Sequence, residues 1–362
     1  MILCAVEIRF RTLLLPLGEF AMSHPRRFAS KLLLALVASQ FLQVLTAPSA
    51  SAQGFDGLKV YFCGTGGPLF SSGRNQPCTA VQAGDSLYMV DNGVGGWNTL
   101  RSEMGAPVLN LKAIFITHLH SDHIAGVGEA AEQSWINGRA EPLTFIGPEG
   151  VDKLAEGFNL VYERDRVFRK AHHENENVKF PLDAAFIHSK AMDIPEPDGS
   201  AIALQDGELT VTAIRVSHEP IDPAFGYRFD YRGRSVVISG DTIAWTPLAD
   251  AAQDADLLIH EAQNNAMQLA QSRMVSRINP RGSALLADTV TYHTEPVEAL
   301  ELARRAGVDL LVLSHLTQAG FPGFPDRFLE GTEQDDEVDW LLAEDGMTIS
   351  LPAGSNELTV NP

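Results

Sequence analysis

The chain has 362 residues, of which 45% are hydrophobic and 20% are charged, and its formal net charge at pH 7 is −19. This composition is typical of a globular protein with a sizeable core, and it excludes a disordered or low-complexity chain. A surface this acidic repels polyanions on average, although it still allows local basic patches.

The N-terminal segment 1–52 has the layout of a secretory signal peptide. "SHPRRFASK" is basic, "LLLALVASQFLQVL" is apolar, and "APSASA" ends in small residues of the A-x-A type. The apolar run is short for a membrane span, so we expect membrane contact only through this segment, with an uncleaved anchor as the alternative. Met22 precedes the basic stretch and is a candidate for the true start. The sequence therefore predicts a periplasmic or secreted protein with one folded domain over 53–362.

The first strands of this domain carry its two cysteines. "LKVYFCGTGGP" (58–68) predicts a strand that enters a Gly-rich turn, and "CTAVQAGDSLYMVDNG" (78–93) predicts a hairpin. An exported protein can form a disulfide between Cys63 and Cys78. Two buried free thiols are equally compatible with the sequence, which does not give the distance between the Cα atoms.

Strands and helices alternate along the rest of the chain. "LKAIFIT" (111–117) and "PLTFIG" (142–147) predict buried strands, a helix is predicted from Val151 to Tyr162, and the polar stretch 163–200 is predicted to be a surface insertion. In the second half we predict helices at about 262–275 and 295–306. Apolar runs in this half predict strands that end at His218, His260–Glu261 and His315, with a hairpin that ends at Asp241. This alternation favours an α/β layered domain.

The stretch "THLHSDHIAG" (117–126) follows a predicted buried strand and places His118, His120, Asp122 and His123 within six positions. Zinc binds such mixtures of nitrogen and oxygen ligands. Four ligands this close cannot surround one ion without strain. We therefore assign His118 and His120 to one ion, and Asp122 and His123 to a second.

Further ligands are predicted where other apolar strands end. Carboxyl ends of neighbouring strands meet at one edge of a sheet, so His218, Asp241 and His315 can converge on the histidine motif. His218 and His315 are the natural third ligands, one for each ion, and the two carboxylate oxygens of Asp241 can bridge both. Two ions at roughly 3.5–4 Å would lower the pKa of water held between them towards about 7 and supply a hydroxide nucleophile.

From about residue 58 to 351 the chain resembles the metallo-β-lactamase superfamily. The matching pieces are "CGTGGP", "VDNG", "THLHSDHIAG", "VSHEP", "FGYRF", "SGDT", "LLIHEA" and "LSH". The resemblance implies an α/β fold, an αββα sandwich of two mixed sheets with helices outside, and two zinc ions, with Mn²⁺ or Fe²⁺ as alternatives. The order of motifs is similar to the branch that contains ribonuclease Z and related arylsulfatases and phosphodiesterases.

That branch also implies roles for individual residues. His118, His120 and His218 match the ligands of one zinc, Asp122, His123 and His315 match those of the other, and Asp241 matches the bridging aspartate. Asp122 is counted among the catalytic residues as well. The segment "YHTEPVEALELA" resembles one whose histidine, here His293, helps to protonate or stabilise the leaving group, with Glu261 as its orienting carboxylate. The alternative for His293 is a surface histidine beside a helix N-cap.

One departure from ribonuclease Z determines the predicted substrate. In that enzyme an arm that grips tRNA is inserted between the positions matching His218 and Asp241, which here lie only 23 positions apart. Together with the signal segment and the acidic charge, this predicts an exported binuclear zinc hydrolase of small anionic esters, phosphodiesters or aryl sulfates being favoured. It also argues against nucleic acid as a partner.

Three alternatives stay open. They are an amide or lactone hydrolase, a tRNA 3′-processing endonuclease, and a metal-binding protein without catalytic activity. The sequence is also compatible with a homodimer.

Overall fold

The computed structural model describes residues 54–68, 73–332 and 337–362. The predicted signal segment 1–52 lies outside the described residues. Residues Gly54–Pro362 form one structural unit. No helix of the described ranges combines the length and the hydropathy that a membrane span requires.

The described strands form two mixed β-sheets. The first sheet has eight strands in the order β15-β14-β1-β2-β3-β4-β5-β6. Their bounds are β1 (Gly57–Gly64), β2 (Cys78–Ala83), β3 (Ser86–Val90), β4 (Leu111–Phe115), β5 (Leu143–Gly147), β6 (Ile187–Ala191), β14 (Thr348–Pro352) and β15 (Thr359–Asn361). The second sheet has seven strands in the order β13-β12-β11-β10-β9-β8-β7. Their bounds are β7 (Ser200–Asp206), β8 (Leu209–His218), β9 (Ile221–Tyr231), β10 (Arg234–Ile238), β11 (Leu257–Glu261), β12 (Leu310–Ser314) and β13 (Asp339–Leu342).

Helices connect these strands and cover the sheets. In chain order they are α1 (Gly96–Ser102), α2 (Ser121–Ile124), α3 (Val127–Ile136), α4 (Val151–His173), α5 (Leu182–Ala185), α6 (Thr246–Ala251), α7 (Asn265–Val275), α8 (Pro280–Asp288) and α9 (Pro296–Ala306). Short 3₁₀ turns lie at Val108–Asn110 and Thr289–Thr291.

Three apolar layers hold the sheets and helices together. Between the sheets, the ring of Phe115 lies 5.1 Å from that of Tyr227 and 5.4 Å from that of Phe229. Trp97 of α1 packs on the outer face of the first sheet, and Leu300 of α9 packs on that of the second. Burial of these apolar side chains is the main stabilising contribution. The predicted αββα sandwich is confirmed.

The polar stretch 163–200 has more regular structure than we predicted. Helix α4 continues to His173, and β6 pairs with β5 in parallel at the edge of the first sheet. Helix α4 therefore ends 11 residues beyond its predicted end at Tyr162, and part of the stretch is a strand of the first sheet. The continuation of α4 depends partly on a buried ion pair, in which Nε of Arg166 lies 2.9 Å from Oε2 of Glu132. Hydrophobic periodicity cannot reveal such a contact.

Cys63 and Cys78 lie on the paired strands β1 and β2. Their Cα atoms are 5.0 Å apart, and their sulfur atoms form a disulfide. This outcome was one of two that the sequence left open.

Candidate metal centre

The seven residues predicted to bind metal come together at one edge of the sandwich. His118 and His120 follow β4, and Asp122 and His123 lie in the short helix α2. His218 ends β8, Asp241 follows β10, and His315 follows β12. All except His120 are buried. Strand ends from both sheets thus supply the side chains of one cluster.

The cluster divides into two groups around a shared carboxylate. His118, His120, His218 and Asp241 form one group, and Asp122, His123 and His315 form another. Within each group the candidate ligand atoms all lie within 4.8 Å of one another.

The shared carboxylate is that of Asp241. Its Oδ2 lies 3.4 Å from Nε2 of both His123 and His315, and 3.9 Å and 4.0 Å from Nε2 of His118 and His218. This oxygen therefore faces both groups, in the place that a bridging ligand would occupy.

The Nε2 atoms of three histidines of the cluster have no hydrogen-bond partner. Nε2 of His123, His218 and His315 is buried and unpaired. Leaving a buried polar atom unsatisfied costs about 1–3 kcal/mol. Three such atoms around one carboxylate fit a site that binds cations, because imidazole nitrogens and carboxylate oxygens are the donors that divalent transition metals take. The residues present therefore suit two metal ions.

The two groups differ in the proton affinity of their histidines. Burial lowers the pKa of His118, His120 and His218, and it does so most strongly for His118. In the other group burial acts in the same direction, but Asp241 and Asp91 raise the pKa of His123 well above its ordinary value.

The remaining histidine of the second group behaves like His123. Burial opposes protonation, yet Asp241 and Asp122 raise the pKa of His315 to about 9. Burial would likewise raise the pKa of Asp241, but His315 and His123 hold it well below its ordinary value. The carboxylate of Asp241 and the rings of His123 and His315 thus favour each other's charged forms.

Asp91 is a site residue that our sequence analysis did not identify. Its Oδ2 lies 2.7 Å from Nδ1 of His123 and accepts a hydrogen bond from Oγ1 of Thr117. Its Oδ1 accepts a second bond, at 2.8 Å, from the backbone N–H of Thr117. Asp91 thus turns Nε2 of His123 towards the cluster, as carboxylates next to metal-binding histidines do. The quoted "VDNG" contained the signal, an Asp at a turn directly after a buried strand.

Two residues of the site have left-handed backbone conformations. The φ angle is 55° at Asp91 and 54° at His315. For residues other than glycine this costs of order 1–3 kcal/mol and is found mainly where function requires it. At His315 it directs the chain from the end of β12 into the cluster.

His293 and Glu261 lie beside the cluster as a pair. Nδ1 of His293 is 2.8 Å from Oε1 of Glu261, and both side chains are buried. The same carboxylate oxygen accepts the backbone N–H of Thr242 at 3.1 Å. The ligand atoms of His293, Asp241 and His315 also lie within 4.8 Å of one another. His293 is therefore placed within the centre and not on the surface.

A cavity of 560 Å³ opens from the cluster towards α7 and α8. His120, Asp122 and His293 line its inner end. Most of the other lining residues belong to α7, α8 and the segments that follow them, among them Gln271, Val275, Ile278, Leu285, Leu286 and Tyr292, and Pro68, Thr317 and Phe321 also line the cavity. The volume lies in the ordinary range for sites that bind small molecules or parts of larger ones.

Residues 96–316 match the family model described as a beta-lactamase superfamily domain. The chain belongs to the metallo-β-lactamase superfamily. Its relatives include a protein of Mycobacterium bovis named ribonuclease Z, 32% identical over 284 residues that cover 76% of this chain and 92% of the relative. A protein of the same name from Mycolicibacterium gilvum is 30% identical, with 78% and 93% covered. The predicted resemblance to the ribonuclease Z branch is thus confirmed.

Solved structures support the fold. The metallo-β-lactamase fold protein YhfI of Bacillus subtilis matches with a TM-score of 0.56 and 21% identity, covering 81% of this chain and 99% of its own. Human tRNase Z, short form, matches with a TM-score of 0.55 and 23% identity over the same shares.

These relatives overturn our prediction that the substrates are small esters, and with it the argument against nucleic acid. Our prediction against nucleic acid depended largely on the absence of a tRNA-binding arm between His218 and Asp241. Yet the alignment with the Mycobacterium bovis relative spans 284 positions, and 76% of the 362 residues of this chain, about 275, fall within it. Only about nine aligned positions therefore lack a residue of this chain, so the relative has no insertion of tens of residues in this region. The lack of an arm therefore does not separate this chain from proteins named ribonuclease Z.

Proposed function

We propose that the protein is a metal-dependent endoribonuclease of the ribonuclease Z type, which cleaves a phosphodiester bond at the 3′ side of a precursor tRNA. The observation that carries this proposal is the similarity to the Mycobacterium bovis protein named ribonuclease Z, which extends over 92% of that protein. The complete cluster of candidate ligands beside the His293–Glu261 pair supports it, because the cluster can hold the ions that supply a nucleophile and the pair can give a proton to the leaving oxygen.

The cluster would hold two zinc ions. His118, His120 and His218 would bind one ion, Asp122, His123 and His315 the other, and Asp241 would be shared. Zinc suits this donor set of imidazoles and carboxylates, and Mn²⁺ and Fe²⁺ are the ions to compare with it. When bound, two such ions provide a nucleophile at neutral pH and neutralise charge on the phosphate.

The His293–Glu261 pair would serve the leaving group. A ribose oxygen leaves as an alkoxide unless it receives a proton or a hydrogen bond as the P–O bond breaks. Protonated His293 can supply that proton, and the carboxylate of Glu261 at 2.8 Å stabilises its positive charge and fixes the orientation of its ring. Asp122, counted in our sequence analysis among both the ligands and the catalytic residues, would act as a ligand next to the reacting phosphate.

The test is cleavage of a precursor tRNA that carries a 3′ extension by zinc-loaded protein, with product ends mapped at single-nucleotide resolution. We expect one main cut near the start of the extension, and no cut by the Asp241→Ala variant prepared in the same way. Protein that holds two equivalents of metal but leaves precursor tRNA and unstructured RNA intact would contradict the proposal.

A further inference from the structure

The cavity beside the cluster combines apolar walls with an amide that has no partner. Val275, Ile278, Leu285 and Leu286 supply apolar surface. Gln271 lines the same cavity, is only 5% exposed, and its Nε2 has no hydrogen-bond partner. A neighbouring glutamine of the lining, Gln268, has both ends of its amide engaged, with Thr289 and Gln318 at 2.9 Å each.

We propose that this cavity binds the base of a nucleotide that flanks the scissile phosphate, with the amide of Gln271 donating a hydrogen bond to that base. The inference rests on the proposed ribonuclease function and specifies how the RNA is held. A base has flat apolar faces and polar edges, which match apolar walls with two buried polar groups that have no partner, Nε2 of Gln271 and Oγ1 of Thr317. Since His120, Asp122 and His293 line the inner end, a base in this cavity would stand next to the reacting phosphate.

Charge at the mouth of the cavity favours RNA as the occupant. Arg273, Arg277 and Arg281 are exposed within nine positions at the turn between α7 and α8. No carboxylate of the described residues forms a salt bridge with any of the three. Their neighbours Val275, Ile278, Asn279 and Gly282 line the cavity itself. In a chain with a net charge of −19 this is a local basic patch, and it can contact the phosphates on either side of the bound base.

The turn that carries these groups is held in place by the chain itself. The side chain of Asn279 caps α8 by accepting the backbone N–H of Gly282 at 2.9 Å, with Pro280 at the first helical position. Ser272 Oγ donates to the backbone carbonyl of Ser283 at 2.8 Å and so ties α7 to α8. The two helices therefore form a fixed wall rather than a loose loop, which favours recognition of one base.

The experiment compares RNA substrates that lack one base on either side of the scissile bond with the intact RNA. In the wild-type protein, removing the base that fills the cavity should lower kcat/KM by about 10-fold or more, as loss of a stacked base does. In Gln271→Leu the intact RNA should be cleaved about as poorly as the abasic one, and removing the base should add little further loss. The control is Gln205→Leu, which changes an exposed glutamine of β7.

A second variant keeps the test valid should Gln271→Leu not fold. Ile278 is 85% exposed and Leu285 57% exposed. The double variant Ile278→Ala, Leu285→Ala should therefore fold normally and still weaken binding of the base. As a readout besides activity, the fluorescence anisotropy of a labelled RNA with metal-free protein should show weaker binding for both variants than for the Gln205→Leu control.

Each result separates the inference from the proposed function. If wild-type protein cleaves RNA but no single abasic position matters, or if the variants lose the same factor on intact and abasic RNA, the base-binding cavity is wrong and the ribonuclease proposal stands. If an aryl phosphodiester, but not RNA, is sensitive to Gln271→Leu, the cavity holds an aryl group and the inference is also wrong. If no RNA is cleaved at all, both proposals fall.

Discussion

Nδ1 of His293 lies 2.8 Å from Oε1 of Glu261, at a sequence separation of 32 residues. The carboxylate also accepts a backbone N–H from Thr242, so its position is fixed from a second side. The ring of His293 lines the cavity next to His120 and Asp122. A histidine held in this way can give a proton to a leaving oxygen without also being needed to hold a metal ion.

Replacing His293 with Ala should therefore lower kcat on precursor tRNA by about 10²–10⁴-fold, the usual contribution of a general acid. The metal content, measured by elemental analysis, should stay close to that of the wild-type protein. His172→Ala, which removes an exposed histidine of α4, is the matched control and should change neither quantity. Loss of about one equivalent of metal in His293→Ala would instead identify His293 as a ligand, since its ring also lies close to Asp241 and His315.

Replacing Asp91 with Asn should weaken metal binding without removing a ligand. The variant loses the negative charge that accepts the Nδ1–H of His123 and orients its ring. Loss of such a contact to a metal-binding histidine typically lowers metal affinity by about 10–100-fold. Affinity would be measured by competition with a chromogenic chelator. Asp85→Asn, at the exposed turn between β2 and β3, should leave affinity unchanged. An unchanged affinity in Asp91→Asn would mean that Thr117 and packing alone orient the ring.

The cluster could be predicted from sequence because each candidate ligand stands where an apolar strand ends. His315 follows β12, a run of buried aliphatic residues, and His218 ends β8, in which apolar residues alternate with polar ones before a buried apolar segment. The interaction of Asp91 with His123 could not be predicted in this way. It links residues 32 positions apart through the packing of β3 beside β4, for which no local pattern exists.

Helix α8 was missed for a different reason. It begins with "NPRGS", in which Pro280 and Gly282 are typical of a turn. The same residues also suit the start of a helix, with Asn279 as its cap and Pro280 at its first position. Only the hydrogen bond from Gly282 to Asn279 decides between the two interpretations. Because α8 forms one wall of the cavity beside the metal cluster, the prediction lacked that wall as well.

Stability should fall at alkaline pH in a way that depends on Tyr61. Burial raises the pKa of Tyr61 to about 12, so the fold favours the neutral phenol, which donates to Gln82 Oε1 at 2.6 Å. The contribution of this group is fully present below its ordinary pKa of about 10 and is lost as the pH rises from there through about 12. Urea unfolding midpoints at about pH 8 and about pH 11 should therefore drop less in Tyr61→Phe than in the wild type. An equal drop in both proteins would show that other groups govern the alkaline loss.

Replacing Asp241 with Ala should disturb both metal ions, because Oδ2 of this residue faces His123 and His315 at 3.4 Å and His118 and His218 at 3.9 Å and 4.0 Å. Removing a ligand of one ion alone should spare the other, so His218→Ala and Asp241→Ala form a matched comparison. We expect close to two equivalents of metal in the wild type, about one in His218→Ala, and fewer than one in Asp241→Ala, with no RNA cleavage by the last. The control Asp193→Ala, at an exposed aspartate, should keep both ions and full activity. An Asp241→Ala protein that keeps one tightly bound ion would show that the carboxylate belongs to a single site, because a shared ligand cannot be removed from one ion alone.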